Sequence, residues 1–199
     1  MELLEREGAL AALAEAHDAA ERGEGRVVFV TGEPGIGKTS LVNEFARSLG
    51  PDARVLFGTC DDLSIPRPLG PIRDLIGSVS VPLEQALVDG AAPHHIQTLL
   101  LAELEQPPPG TVLVIEDVHW ADDATLDLIT VLGRRVRGLP AVVVLTFRAG
   151  EAPPGHPLHR AIGAIRAEDS QVIDLTPLSA AAVSSLAGRD ADRVYRRGR

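Results

Sequence analysis

Eight residues, Gly32-Glu33-Pro34-Gly35-Ile36-Gly37-Lys38-Thr39, constrain this chain more than any others. They fit G-x-x-x-x-G-K-[ST] completely. Before them, Val27 to Thr31 is a short, continuous apolar run, the pattern of a parallel strand buried on both faces. After them, Leu41, Val42, Phe45, Ala46 and Leu49 recur at helical spacing until Gly50-Pro51 stops the helix. A glycine-rich loop between a buried strand and a helix can curl its N–H groups around an anion, and the helix N-terminus adds its free donors and dipole. On this reading Gly32, Glu33, Pro34, Gly35, Ile36, Gly37, Lys38, Thr39 and Ser40 hold the phosphates of ATP or ADP. Lys38 reaches the β- and γ-phosphates, and the Thr39 hydroxyl ligates Mg²⁺. The competing reading is a glycine-rich turn that matches by chance; the flanking strand and helix weigh against it.

The rest of the chain continues the alternation. Residues 3–22 pattern as a helix that ends at Gly23 and Gly25. Further strands are expected at 55–59, 112–115, 141–147 and 172–175. Helices are expected near 72–76, 96–104 and 158–166. Another follows Asp122 as its cap and buries Leu128, Ile129, Leu132 and Val136. Ser179 can cap a last helix that ends near Gly188. Apolar strands alternating with helices predict an α/β domain with a mostly parallel sheet. The proline-rich stretches at 61–71 and 107–110 are read as surface loops of that one sheet. One nucleotide-binding domain, 1–178, is therefore expected, with 179–199 opening the next helical segment.

Composition narrows the function. The chain's 199 residues suit a single domain. Only 3% are aromatic against 45% hydrophobic, so the core must rest on Ala, Val, Leu and Ile. A net charge of −9 disfavours non-specific attraction to DNA or anionic lipid. The start is acidic, and no apolar run approaches the roughly 18 residues of a membrane span, so neither a secretory signal nor a membrane partner is expected. The single cysteine, Cys60, cannot form an internal disulfide and fits a reducing cytoplasm.

The run Val112-Leu113-Val114-Ile115 ends in two carboxylates, Glu116 and Asp117. In open parallel sheets ligands sit at the carboxyl ends of the strands. Such a pair can divide the work, one carboxylate holding Mg²⁺ and the other orienting or deprotonating the attacking water. Position gives the metal side to Glu116 and the water side to Asp117. A glutamate at the first position departs from the aspartate usual in P-loop proteins, so which of the two serves the metal stays open. A strand that merely exits into a polar loop is the plainer alternative.

Glu116-Asp117-Val118-His119-Trp120-Ala121-Asp122 resembles the signature of the STAND class of signalling ATPases, and more narrowly the ATPase domain of large ATP-binding LuxR-type transcriptional regulators. Arg6-Glu7, the loop GEPGIGKTSL from Gly32 to Leu41, Leu145-Thr146-Phe147-Arg148 and Leu175-Thr176-Pro177-Leu178-Ser179 are similar to other segments of that domain. The resemblance implies a core of five parallel strands in the order 5-1-4-3-2. It implies that Arg148 senses the γ-phosphate and that Arg6 lies beside the adenine. It further implies a slow ATP-hydrolysing switch that controls self-association. DNA would be bound only through a carboxyl-terminal helix-turn-helix. The winged-helix, repeat and helix-turn-helix regions expected downstream do not follow, nor does a Gly-Asn-Pro segment. The tail from Arg189 to Arg199 is too short to bind DNA as a domain. An isolated domain of a longer protein, or a truncated product, is expected.

Other residues have plainer expectations. Trp120 is read as a packing wedge, while His119 is open between packing and coupling. Arg134, Arg135 and Arg137 are read as a solvated basic face rather than an arginine acting across a subunit boundary. His94-His95 is taken as surface, Cys60 as a buried small residue, and Arg148 has a surface arginine as its alternative. Two further functions compete with the switch. One is an AAA+-type oligomeric ATPase. The other is a small P-loop kinase using Asp61 to Arg73, with Arg67 and Arg73, as a substrate loop.

Overall fold

A computed structural model describes residues 3–63 and 67–184. Five strands, β1 (Arg26–Thr31), β2 (Val55–Thr59), β3 (Thr111–Glu116), β4 (Ala141–Phe147) and β5 (Ser170–Asp174), form one sheet in the order β2-β3-β4-β1-β5. Every pairing is parallel. Read from the other edge, this is the 5-1-4-3-2 order expected above. The described helices are α1 (Glu7–Glu21), α2 (Lys38–Ser48), α3 (Gly70–Arg73), α4 (Val81–Val88), α5 (Pro93–Leu104), α6 (Asp123–Arg135) and α7 (Pro157–Gly163).

The strand alternation divides the core in two. Val28, Val30, Val112, Val114, Val142 and Val144 face α1 and α2, meeting Leu13, Ala16, Leu41 and Phe45. Val27, Phe29, Leu113, Ile115, Val143 and Leu145 face the other layer, where Leu100, Leu128, Ile129 and Leu132 close over them. Covering both faces is what wholly apolar central strands require. The β-branched valines also suit the pleated surface, which makes up for the scarcity of aromatic rings.

Several boundaries differ from the sequence reading. The first helix starts at Glu7, not Leu3: Glu5 is left-handed (φ 56°), so Leu3 to Arg6 forms a separate turn. Helix α3 ends at Arg73 instead of running to Ile76. Helix α4, which apolar spacing did not single out, starts after Ser80 with Pro82 in its first turn. Helix α7 stops at Gly163, and β5 begins two residues early, at Ser170. The expected end of the last helix, near Gly188, and the arginine tail lie outside the described residues. Residues 180–184 are helical, and the Ser179 hydroxyl accepts from the Ala182 N–H at 3.2 Å as a cap should.

The Asp122 cap is borne out and does more than end a helix. Its carboxylate accepts from Ala124 N–H (2.9 Å) and Thr125 N–H (3.1 Å), and also from Leu69 N–H (3.2 Å) across the fold. One side chain thus starts α6 and fixes the loop after β2. Asp122→Ala should lower stability by about 1–2 kcal/mol, or the Tm by roughly 3–6 °C. Thermal unfolding followed by circular dichroism checks this; an unchanged Tm would mean water replaces the carboxylate at no cost.

Candidate nucleotide-binding site

The loop between β1 and α2 takes the backbone conformations that its glycines permit. Gly32, Gly35 and Gly37 have φ of 148°, 74° and 102°. A Cβ on Gly32 would also meet the Leu175 carbonyl at 2.9 Å. Gly37 caps α2 without a side chain, and the first helical bond runs from Leu41 N–H to the Gly37 carbonyl at 2.9 Å. The amides of Lys38, Thr39 and Ser40 precede that bond, so the helix offers them no acceptor and they can serve an anion. Glu33, Pro34 and Gly35 are exposed, whereas Lys38 is buried. The Lys38 ammonium donates to the carbonyls of Gly32 and Glu33, both at 3.0 Å. Burial holds its pKa below the usual lysine value, against the pull of Asp117.

Arg6 braces this loop from behind. Only 7% exposed, it donates to the carbonyls of Ile36 in the loop (3.3 Å) and Thr176 beyond β5 (3.0 Å). Its neighbour Glu5 accepts from Ser179 N–H at 2.7 Å. Glu7, by contrast, is an exposed residue of the first turn of α1. An open hollow of about 330 Å³ lies between Gly8, Ala9 and Ala12 of α1 and residues 171–176, with Arg6 at its wall. No residue of the phosphate loop lines it. A smaller hollow, about 70 Å³, lies at the end of β2 between Cys60, Arg73, Trp120 and Asp122, and contains no residue of the loop.

Across the sheet, Glu116 ends β3 and is 8% exposed. Its Oε1 is buried and has no hydrogen-bond partner among the described residues. Burial raises its pKa, and the neighbouring Thr39 hydroxyl pulls the other way. An unsatisfied carboxylate oxygen beside a threonine hydroxyl is the oxygen donor set a hard divalent cation takes. Asp117, next in sequence, is left-handed (φ 53°), a conformation uncommon outside glycine. Its N–H donates to Thr146 Oγ1 at 3.0 Å, which ties the end of β3 to β4.

Arg148, just past β4, faces this group. Its guanidinium donates to Glu151 at 2.8 Å, its Nε lies 3.9 Å from Asp117 Oδ1, and its Cζ sits 4.7 Å from the centre of the Trp120 ring. His119 is fully buried in its side chain and packs on Trp120 with ring centroids 4.5 Å apart. His119 Nε2 lies 2.9 Å from Glu151 Oε2. Burial holds the His119 pKa below the usual value, opposed by Asp117 and Glu151.

The structure therefore brings the loop, Glu116, Asp117 and Arg148 to one edge, with Arg6 behind the loop. Trp120 packs as expected but also forms a platform under Arg148. Two participants were not foreseen, Glu151 and the Thr146 hydroxyl; the three-residue spacing of Arg148 and Glu151 was the available signal for the first. His94, His95, Arg134, Arg135 and Arg137 are exposed, and Arg137 pairs with Glu168 at 3.1 Å. Cys60 is buried, and burial pushes its thiol pKa up to about 12, which makes it inert.

The family model of the AAA ATPase domain matches residues 2–145. This chain belongs to that family. The match takes in the phosphate loop and the β3 carboxylates and stops before Arg148 and Glu151. No functionally curated protein matches the sequence. Among solved structures, the AAA domain is similar to the Aeropyrum pernix ORC1 protein in complex with DNA (18% identity, TM-score 0.69), covering 96% of this chain and 50% of that one. It is similar to C. elegans PCH-2 (17%, TM-score 0.55; 96% and 48%) and to Thermotoga maritima RuvB (20%, TM-score 0.54; 97% and 53%). At these identities the likeness is one of fold, and the AAA domain spans about half the length of these three chains. Among the described residues no helix is long and apolar enough to cross a membrane.

Glu116 carries a prediction with a definite sign. Its folded-state pKa is raised, so ionised Glu116 costs stability at neutral pH, and that cost is absent below the ordinary carboxylate range near about pH 4. Glu116→Gln, free of nucleotide and with a chelator present, should melt higher than wild type at pH 7. The gain should shrink as the pH falls and vanish near pH ~4. Melting curves across pH test this; a lower Tm for the variant at pH 7 would show that the charge is compensated within the fold.

Proposed function

We propose that this AAA domain binds ATP with Mg²⁺ and hydrolyses it slowly. The observation that carries the reading is the buried, unpartnered Glu116 oxygen beside Thr39, at the foot of a helix whose first amides are unclaimed. Gly32 to Ser40 would hold the phosphates, with Lys38 leaving its loop carbonyls for the terminal ones. Thr39 and Glu116 would hold the metal, which when bound neutralises phosphate charge. Asp117, held in position by Thr146, would orient the attacking water. Arg148 would answer the γ-phosphate, and Arg6 would fix the wall of the adenine hollow.

An oligomeric ATPase of the AAA+ type is the broader role that the family membership favours. Such an assembly needs a cation offered to its neighbour, and Arg134 and Arg135 are exposed at the end of α6. The finer reading is the switch of a LuxR-type regulator. It is supported by the residues Glu116 to Asp122 and by the Arg6 contact that joins the loop to Thr176, with Glu5 holding Ser179 beside it on the way out of β5. In that reading DNA is reached only through parts of a longer protein. The kinase reading is disfavoured because Arg73 is committed within the fold, donating to the Leu87 carbonyl at 2.7 Å.

Calorimetric titration of Mg-ATP and Mg-ADP tests the reading. Wild type should bind both, and Lys38→Ala should bind ATP at least tenfold more weakly, the loss of about one charge-assisted contact. Turnover that stays slow and independent of protein concentration supports the switch. Turnover that rises with concentration and falls in Arg134→Ala or Arg135→Ala supports the oligomer. Wild type that binds neither nucleotide overturns both.

A further inference from the structure

Arg148 is not free in this structure. The 3₁₀ turn Ala149–Glu151 is closed by Glu151 N–H on the Arg148 carbonyl at 3.0 Å, which folds the glutamate back onto the arginine. One carboxylate oxygen accepts from the guanidinium at 2.8 Å, and the other lies 2.9 Å from buried His119. Glu151 is thereby held from both sides, by the turn after β4 and by the turn after β3. The Trp120 ring supports the guanidinium from below.

The same group lies within electrostatic reach of Lys38. The ammonium feels the charges of Asp117, Glu151 and Glu116 and, with opposite sign, that of Arg148. Three carboxylates therefore share two cations at the edge where a terminal phosphate would come to rest. A further anion there meets repulsion unless one cation changes partner. Among the described residues Lys38 donates to two neutral carbonyls, whereas Arg148 donates to a carboxylate. The exchange that breaks an ion pair is thus Arg148 leaving Glu151, and a γ-phosphate within its reach would call for it.

We propose that Glu151 is a specificity-determining residue: it stands in for the γ-phosphate on Arg148 and so sets how strongly the site prefers a nucleoside triphosphate to a diphosphate. The proposal rests on the nucleotide-binding reading above. Glu151→Gln removes the competing charge while keeping the side chain's size, and the backbone bond that closes the turn is untouched. Affinity for the triphosphate should rise and affinity for the diphosphate should hold. Because the pair is partly exposed, the gain in the affinity ratio is about threefold.

The test is calorimetric binding of Mg-ADP and a non-hydrolysable Mg-ATP analogue to wild type, Glu151→Gln, Arg148→Ala and the double variant, each shown by melting to be folded. A higher triphosphate-to-diphosphate ratio in Glu151→Gln that disappears in the Arg148→Ala background supports the exchange. A ratio that stays the same or falls overturns it, since Glu151 would then only orient Arg148. An equal gain with and without Arg148 also overturns it, because the effect would be the general field of a removed charge. If wild type binds both nucleotides and Lys38→Ala binds ATP at least tenfold more weakly, such a failure belongs to this proposal alone. If wild type binds neither, both fall.

Discussion

Because β1, β3 and β4 run parallel and in register, the residues that leave them emerge at one edge of the sheet. Thr31 pairs with Phe147, Ile115 with Leu145, and Thr59 with Glu116. The phosphate loop continues from Thr31, the carboxylates from Ile115 and Arg148 from Phe147. Groups separated by more than a hundred residues in sequence thus meet at one end of the sheet. A slip of one residue would turn every apolar side chain to the wrong face, so the packing of the two half-cores fixes the register and the register fixes the site.

At this edge the fold buries polar groups whose charged forms burial disfavours. Lys38, Glu116 and His119 are all buried, and burial shifts the pKa of each toward its neutral form. Asp117 adds a left-handed backbone, held there by the bond from its N–H to Thr146. Sites that anticipate a charged ligand carry such costs, because groups already stripped of water respond strongly when the opposite charge arrives. The apolar strands behind them, rigid and fully covered, supply the stability that allows it.

The features written in local pattern were legible: the loop with its flanking strand and helix, the buried strands, the Asp122 cap and the carboxylate pair. Each is a run or a spacing with a direct physical cause. The strand order followed from the resemblance, since pairing between distant strands leaves no local mark. Other features were hidden for identifiable reasons. Helix α4 has Leu83, Ala86 and Leu87 on its buried side but exposes Val81 and Val88, so its apolar pattern does not mark one face. Strand β5 is an edge strand with Val172 exposed, which blurs its ends. The roles of Arg6 and Glu151 depend on carbonyls and side chains brought close only by the tertiary fold, and spacing alone does not say which surface charge will find such a partner.

The contacts of Arg6 show how a rigid loop can be connected to the rest of a chain. A guanidinium presents several donors in fixed directions, so a single arginine can hold two backbone segments at once. Here it joins the Ile36 carbonyl, inside the phosphate loop, to the Thr176 carbonyl, just past the last strand. Glu5 adds a second tie, from the turn before α1 to Ser179 at the start of the final helical residues. Glu5 lies in the left-handed turn before α1, while Arg6 caps that helix, its carbonyl accepting from Leu10 N–H at 2.9 Å. Through these two bonds from one side chain, the cap of α1, the phosphate loop and the backbone leading out of β5 share a single guanidinium.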